Sequence, residues 1–380
     1  MKYLFFISLS FIFYTMIFYP IILQVLDKVM KKDKLNLNTD FNPFISIIIP
    51  AHNEEDVIER KIKNLLQINY DKYKYEIIIA SDHSTDKTND IVEDLSRNFS
   101  NIFLVDVDER KGKTNAQNEA VGVAKGEVLI FSDANSILDS EAVKQIVYYL
   151  SDKNVGYVAG NLQYTNSLES ISANTESVYW NYDLRMRKVE SDISSITAGN
   201  GAIYGLRKED YIDIDPIYSH DSIFPVLQVL NGKKSKFNPK AIAYEKAGES
   251  DKEEYKRKVR MFRKIIKINF IDIQKYNFFK YGIFSYFYFS HRFCRNFLFV
   301  FHILLIFSSL FLILNPIYRV LFFLQLMFYI VSLVGYKAQI KMLKPFTFYS
   351  MTLLAQLVGA YKELTGKSKP FWEVPQSTRK

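Results

Sequence analysis

Pro50-Ala51-His52-Asn53-Glu54-Glu55 follows directly on an apolar run at 45–49, and Ser81-Asp82-His83-Ser84-Thr85-Asp86 follows directly on a second at 76–80. Lys111-Gly112-Lys113 leads into a helical stretch that includes Asn118, and Asp133-Ala134-Asn135 follows the run at 128–131. An Asp or Asn at the end of a strand is, by itself, a turn former or a helix N-cap. Four such stretches in order, at the same edge of one predicted sheet, point instead to a polar ligand in the crevice beyond the strand ends. Carboxylates there suit a hard divalent cation, because Mg²⁺ takes one or two carboxylates together with phosphate oxygens. A lysine suits an anion. Further along, Gly199-Asn200-Gly201 would let backbone approach a ligand closely. Asp221 precedes a helical pattern, where capping is the ordinary role of an Asp. The five histidines fall in separate places, and the single Cys294 excludes a disulfide framework and a cysteine-based zinc site.

These stretches need a scaffold, and the chain between 43 and 250 supplies one. Short β-branched runs at 45–50, 76–80, 102–105, 128–131 and 155–159 alternate with helical patterns at 54–66, 87–99, 114–124 and 141–150. That alternation predicts βαβ units, and the unbroken apolar runs predict a mostly parallel sheet covered by helices on both faces. The fold class expected is α/β with transmembrane helices added.

Residues 4–26 carry no formal charge, and Lys28, Lys31, Lys32 and Lys34 follow at once. At about 1.5 Å per residue this run can cross a hydrocarbon core of roughly 30 Å. It is too long for a signal peptide, and its flanking charge puts its C-terminal side in the cytoplasm. Residues 1–30 are therefore expected to be an anchor and 31–42 a polar linker. Residues 252–273 read as one basic amphipathic helix in the membrane interface, with Val259, Phe262, Ile266, Phe270 and Ile273 on its apolar face. Residues 296–314 and 320–336 read as transmembrane helices separated by the turn at Asn315-Pro316. Residues 346–361 either span, re-enter or lie on the surface, so the side of the basic tail, 363–380, stays open. The expected divisions are thus 43–250 for the α/β domain, 251–295 for interfacial helices and 296–362 for C-terminal membrane helices.

The chain has 49 Lys+Arg against 41 Asp+Glu, a net charge of +8. Residues 43–250 hold 23 basic and 32 acidic groups, whereas 251–380 hold 21 basic and 6 acidic. Basic charge concentrated around apolar segments indicates a lipid bilayer as partner rather than nucleic acid.

The array 50–55, 81–86, 111–118 and 133–135 resembles the nucleotide-sugar-binding half of family 2 glycosyltransferases with a GT-A fold. The resemblance continues through 198–205 with Arg207, His220-Asp221, 238–245, Ser290-His291-Arg292 with Arg295, and Trp372. It is nearest to membrane-bound bacterial exopolysaccharide synthases of the cellulose, hyaluronan and poly-N-acetylglucosamine type. The resemblance implies a Rossmann-like domain that binds a nucleotide-sugar donor, UDP-linked on this reading, through Pro50, Ala51, Asn53, Glu54, Asp82, Lys113, Asn118, Asp133 and Asn135. It implies Mg²⁺ or Mn²⁺ on Asp133 and Asn135, and Asp221 as the base that deprotonates the acceptor, with inversion at the anomeric carbon. It implies acceptor contacts from Gly199, Asn200, Gly201, Arg257 and Arg260. The partners implied are a glycan or lipid-linked acceptor, the bilayer and other subunits of polysaccharide synthesis, at the cytoplasmic face of the plasma (inner) membrane.

Three positions depart from the family pattern. Asp133-Ala134-Asn135 replaces Asp-x-Asp, Ser81-Asp82 replaces a pair of acids, and Arg257-Lys258-Val259-Arg260-Met261 replaces Gln-x-x-Arg-Trp. The missing Trp favours limited or single transfers, with a processive synthase as the alternative. The other class of reading is a non-catalytic protein that senses nucleotide sugar or scaffolds a synthase.

Overall fold

Isoleucine-rich strands dictate the centre of the molecule: Ile45, Ile47, Ile48, Ile49, Ile77, Ile79 and the residues 128–131 are all wholly buried. Burying each such side chain is worth about 1.5–3 kcal/mol, so these runs settle where both faces of a sheet are covered. The computed structural model describes residues 1–166, 171–371 and 376–379; Trp372 lies outside them. Among the described residues eight strands form one sheet: β1 (Ile45–Ala51), β2 (Tyr75–Ser81), β3 (Ile102–Asp106), β4 (Val128–Phe131), β5 (Ile137–Leu138), β6 (Val155–Tyr164), β7 (Tyr204–Arg207) and β8 (Lys234–Glu245). Their order is β3-β2-β1-β4-β7-β6-β8-β5.

The four strands β1 to β4 are mutually parallel, as the sequence predicts. The chain builds outward from β1 to β3 and then returns to place β4 on the other side of β1. That reversal creates a topological switch point between β1 and β4, where α/β sheets bind ligands. The remaining half is mixed. Strand β7 is antiparallel to both β4 and β6, β6 is parallel to β8, and β5 is antiparallel to β8. Strands β5, β7 and β8 escape the sequence reading because they lack long unbroken apolar runs; β8 is interrupted by lysines, Asn238 and Pro239, and β5 is two residues long. The helices Ile58–Leu65, Thr88–Asn98, Lys113–Val123 and Ala142–Leu150 occur where expected; Lys113–Val123 has the predicted length shifted by one residue, and the other three are shorter than the predicted pattern.

The contacts divide the chain into two units. One holds 30–165, 183–247 and 369–380, including the whole sheet; the other holds 1–29, 166–182 and 248–368. In the sheet unit, the 31–42 stretch is not a free linker but is tied down. The Asp33 carboxylate accepts from Lys234 and Lys236, each at 2.7 Å, and the Asn36 and Asn38 amides donate to Asp152 and Ser151. Burial pushes the Asp33 carboxyl up, but the two lysines outweigh it and leave it below its ordinary value.

In the membrane-helix unit, Lys2–Val29 forms one apolar helix of 28 residues with a π-helical turn at Tyr14–Phe18. Phe11 stacks on Phe301 at 3.6 Å, and Tyr14 bonds Ser290 at 2.6 Å. Pro316–Ala338 is the second helix long and apolar enough to cross a bilayer. The expected span at 296–314 is corrected in its bounds only: it stands as part of a bent pair of helices. Leu298–Phe311 has only 14 residues and reaches spanning length only together with Ile283–Asn296, from which it bends by 58°. Lys344–Leu364 is helical over 21 residues but is not apolar enough to count as a span. His302 bonds Tyr329 at 2.8 Å and Tyr349 at 2.9 Å, which makes it a packing residue between helices. The single amphipathic helix expected at 252–273 is also corrected. It breaks into Asp251–Met261, Ile265–Phe270 and a 3₁₀ turn at Ile273–Tyr276, with Asp272 at a φ of +53°.

The Asp33 tie generates a stability prediction. Lys236 is 2% exposed, and its other partners are the Ser191 and Ser194 carbonyls. Replacing Asp33 by Ala leaves that buried ammonium without its counter-charge, at a cost of about 3 kcal/mol. Because the folded carboxyl titrates below its unfolded value, this stability is present above about pH 4 and is lost as the pH falls through the folded value. Denaturant midpoints of wild type and Asp33→Ala, measured between pH 3 and 7, are expected to converge at the acid end.

Candidate functional site

The loop after β1 turns at Asn53, whose φ of +54° lies in the left-handed region that Asn tolerates better than most residues. There it is stitched to the loop after β2. The Asn53 side chain accepts from the Thr85 amide at 2.8 Å, the Glu54 amide donates to Thr88 at 2.8 Å, and the Lys87 amide donates to Glu55 at 3.0 Å. Pro50 and Ala51 are the last residues of β1, paired with Ala80 and Ser81. The loops therefore come as one rigid ledge rather than as two independent arms.

Asp82 holds the next loop. Its carboxylate accepts from the Lys111 amide at 3.0 Å and from the Gly112 amide at 2.9 and 3.0 Å. Gly112 has a φ of +102°, and a Cβ there would lie 2.7 Å from the Pro370 carbonyl oxygen. Only glycine serves at this point. The turn starts the Lys113–Val123 helix, so Asp82 indirectly sets where Lys113 stands.

Lys113 pairs with the Asp133 carboxylate. Gly201 closes over this pair: a Cβ at 201 would fall 2.7 Å from Asp133 Oδ2 and 2.9 Å from Lys113 Nζ. The approach follows from the sheet, because β7 begins at Tyr204 opposite Phe131, the last residue of β4. The same glycine-rich segment reaches Asp221, whose carbonyl accepts from the Gly199 amide at 2.7 Å. Asp221 lies one residue inside the His220–Leu230 helix, so it is not the N-cap, a place taken by Ser219. Its Oδ1 is buried without a hydrogen-bond partner. Asn200 braces the segment by donating to the Gly160 carbonyl at 2.7 Å and accepting from the Ala202 amide at 3.1 Å. Arg187, paired with Asp183, donates to the Ala198 and Gly199 carbonyls.

Other site residues from the sequence take different places. Asn118 donates to the Ile214 carbonyl at 2.9 Å and accepts from Tyr211 at 2.6 Å, which fixes the 211–214 stretch. Asn135 is buried in the turn beside Asp133. Arg257 and Arg260 belong to the membrane-helix unit, and the Arg257 guanidinium is engaged by Glu254 and Glu176. Burial pushes the Glu254 carboxyl up, but Arg257 and Lys258 more than offset this and leave it at about 2.

Three charged residues near Asp133 were missed. Arg379 makes a two-point contact to Glu54, at 2.8 and 2.6 Å. Burial pushes the Glu54 carboxyl up against the pull of that arginine, with Asp133 and Asp86 adding to the rise. Glu245, at the end of β8, accepts from Ser136 and is likewise pushed up, by burial and then by Asp133. Lys61 is 0% exposed, and burial pushes its ammonium down to about 7, against the pull of Asp133 and Glu245. A lysine at helical spacing among Ile58, Ile62 and Leu65 was the available signal for it. His220, buried beside Tyr204 at 2.8 Å, is pushed well below its ordinary value by burial and then by Lys113.

Among the described residues no three His, Cys, Asp or Glu side chains gather into a metal cage. The donor set at the switch point still fits a hard cation that takes most of its ligands from a substrate. Asp133 offers a carboxylate, and the missing side chain at Gly201 leaves room against it.

Residues 46–214 match the family model described as "Glycosyl transferase family 2". The chain is 32% identical over 183 residues to the probable glycosyltransferase YdaM of Bacillus subtilis, covering 44% of this chain and 42% of that protein. It is 26% identical over 217 residues to the poly-beta-1,6-N-acetyl-D-glucosamine synthase of Staphylococcus aureus, covering 56% and 52%. The matched region thus spans about half the length of these relatives. Among solved structures, the mannosyltransferase PcManGT from Pyrobaculum calidifontis, in complex with GDP-Man and Mn²⁺, aligns over 96% of this chain and 99% of its own. Its TM-score is 0.69 at 18% identity, which is a likeness of fold. With the parallel half-sheet, its switch point and the Asp133 turn all inside the matched segment, residues 46–214 are a glycosyl transferase family 2 domain.

Proposed function

We propose that this chain is a membrane-anchored, inverting glycosyltransferase that moves a sugar from a nucleotide-sugar donor, UDP-linked on this reading, to a glycan or lipid-linked acceptor at the cytoplasmic face of the plasma membrane. One observation carries the proposal. The segment 199–201 joins Asp221, with its unpartnered buried oxygen, to the Lys113–Asp133 pair at the switch point. An acid–base carboxylate and a diphosphate-binding pair are what sugar transfer from a nucleotide needs, and both border one three-residue stretch.

In this mechanism the donor's base and ribose lie along the ledge of Ala51, Asn53 and Asp82. Lys113 turns from Asp133 to the diphosphate and balances its charge. Asp133, with Asn135 beside it, would hold Mg²⁺ or Mn²⁺, which when bound neutralises charge developing on the departing diphosphate. The PcManGT complex, which contains Mn²⁺, is in keeping with this. Asp221 accepts the proton of the acceptor hydroxyl as that oxygen attacks the anomeric carbon. Similarity to the poly-N-acetylglucosamine synthase favours a processive synthase as the second reading, and product length separates the two.

Two outcomes test the assignment on full-length protein in detergent or nanodiscs, with radiolabelled nucleotide sugars and added Mg²⁺ or Mn²⁺. Asp221→Asn is expected to lower kcat by about 10²–10⁴-fold with little change in donor KM; unchanged turnover would remove Asp221 from the role of base. Gly201→Ala is expected to lower kcat/KM at least tenfold while the thermal midpoint stays close to wild type, because the new methyl group presses on Asp133 and Lys113. Full activity in that variant would mean the pair is not at the reacting centre.

A further inference from the structure

The Asp133 turn is held from below by a charge that nothing in its sequence surroundings requires. The Ile58–Leu65 helix buries Ile58, Lys61, Ile62 and Leu65, the 1-4-5-8 spacing of a core-facing stripe, and Lys61 is the one ionisable member. Its Nζ donates to Ser132 Oγ at 2.7 Å and to the Ser136 carbonyl at 2.6 Å. These two partners are neutral and stand at either end of the turn that carries Asp133 and Asn135. Each is itself a relay. Ser132 Oγ donates to the Ala202 carbonyl at 2.6 Å, next to Gly201, and Ser136 Oγ donates to Glu245. One turn along the same helix, Asn64 exchanges two hydrogen bonds with Leu138, at 2.8 and 2.9 Å.

A methionine would fill much the same volume without the several kcal/mol that burying an ammonium costs. What the ammonium adds is a pair of strong bonds across the turn and a positive charge on its core side. We propose that Lys61 is a positioning residue: it clamps the 132–136 turn to the 199–202 segment and so fixes Asp133 in the geometry that receives the metal and the diphosphate. This deepens the donor-site reading and rests on it.

The test uses the full chain, comparing wild type, Lys61→Met, Lys61→Arg and Ser132→Ala. Amide exchange across 132–138 is read by mass spectrometry, binding of Mn²⁺ with UDP and, in parallel, with GDP by titration, and kcat and KM separately. Lys61→Met is expected to exchange at least tenfold faster at 132–138 while exchange in β1 and β2 is unchanged. It is also expected to bind Mn²⁺–nucleotide at least tenfold more weakly and to lose kcat more than donor KM. Lys61→Arg should recover part of each. If Lys61→Met fails to fold, Ser132→Ala removes one arm of the clamp and should show the same pattern more weakly. Wild-type exchange and metal affinity in Lys61→Met, or in Ser132→Ala where that variant replaces it, would overturn the proposal. If wild type binds neither nucleotide, the donor reading fails, and local exchange at 132–138 alone decides the role of Lys61.

Discussion

Glu54, Asp133 and Glu245 are drawn together where β1, β4 and β8 end, and like charges at low dielectric repel strongly. The rise of the Glu54 and Glu245 carboxyls above their ordinary values records that repulsion on top of burial. The region is tenable because three cations come from three separate parts of the chain. Lys61 rises from the core side, Lys113 begins a helix, and Arg379 arrives from the C-terminal tail. Much of the surrounding architecture serves to deliver these six groups.

The delivery relies on backbone held by side chains more than on regular structure. Asp82 gathers the 111–112 amides, which lets Gly112 take a conformation closed to other residues and aims the helix that begins at Lys113. Asn53 and Thr85 lock two loops that the sheet alone would leave adjacent but independent. Strand β7 then runs against the direction of β4, and this antiparallel insertion brings Gly201 to Asp133. An all-parallel sheet would send the chain after β4 away over a helix and would leave Asp133 without its lid.

What could be read from the sequence follows from what each signal measures. The strands β1, β2 and β4 are each built around a run of at least three consecutive apolar residues, and their ends mark the Asn53, Asp82 and Asp133 loops, so this half of the site was legible. Strand β7, with glycine and arginine inside four residues, gives no such signal, and the meeting of Gly201 with Lys113 depended on it. The Asp33 tie and the Arg379–Glu54 contact join residues about 200 and 325 positions apart, and local pattern carries no information at such separations. The basic stretch 252–273 misled for a physical reason. Its heptad-like spacing is real, but Lys264 and Asp272 leave helical backbone and cut it into short pieces.

The amide at Asn135 fits the charge count better than the more usual carboxylate would. Glu54, Asp133 and Glu245 contribute three negative charges when ionised, and Lys61, Lys113 and Arg379 three positive when protonated, so the fully ionised cluster carries no net charge. On the proposed reading, a divalent cation and the two charges of a donor diphosphate then enter as a neutral pair and leave that balance intact. A carboxylate at 135 would add a fourth negative charge next to two carboxyls already pushed upward. It would be relieved only by a tighter metal or by protonation of a neighbour. On that proposed reading, the amide at 135 leaves more of the metal's coordination to the substrate phosphates than a carboxylate would.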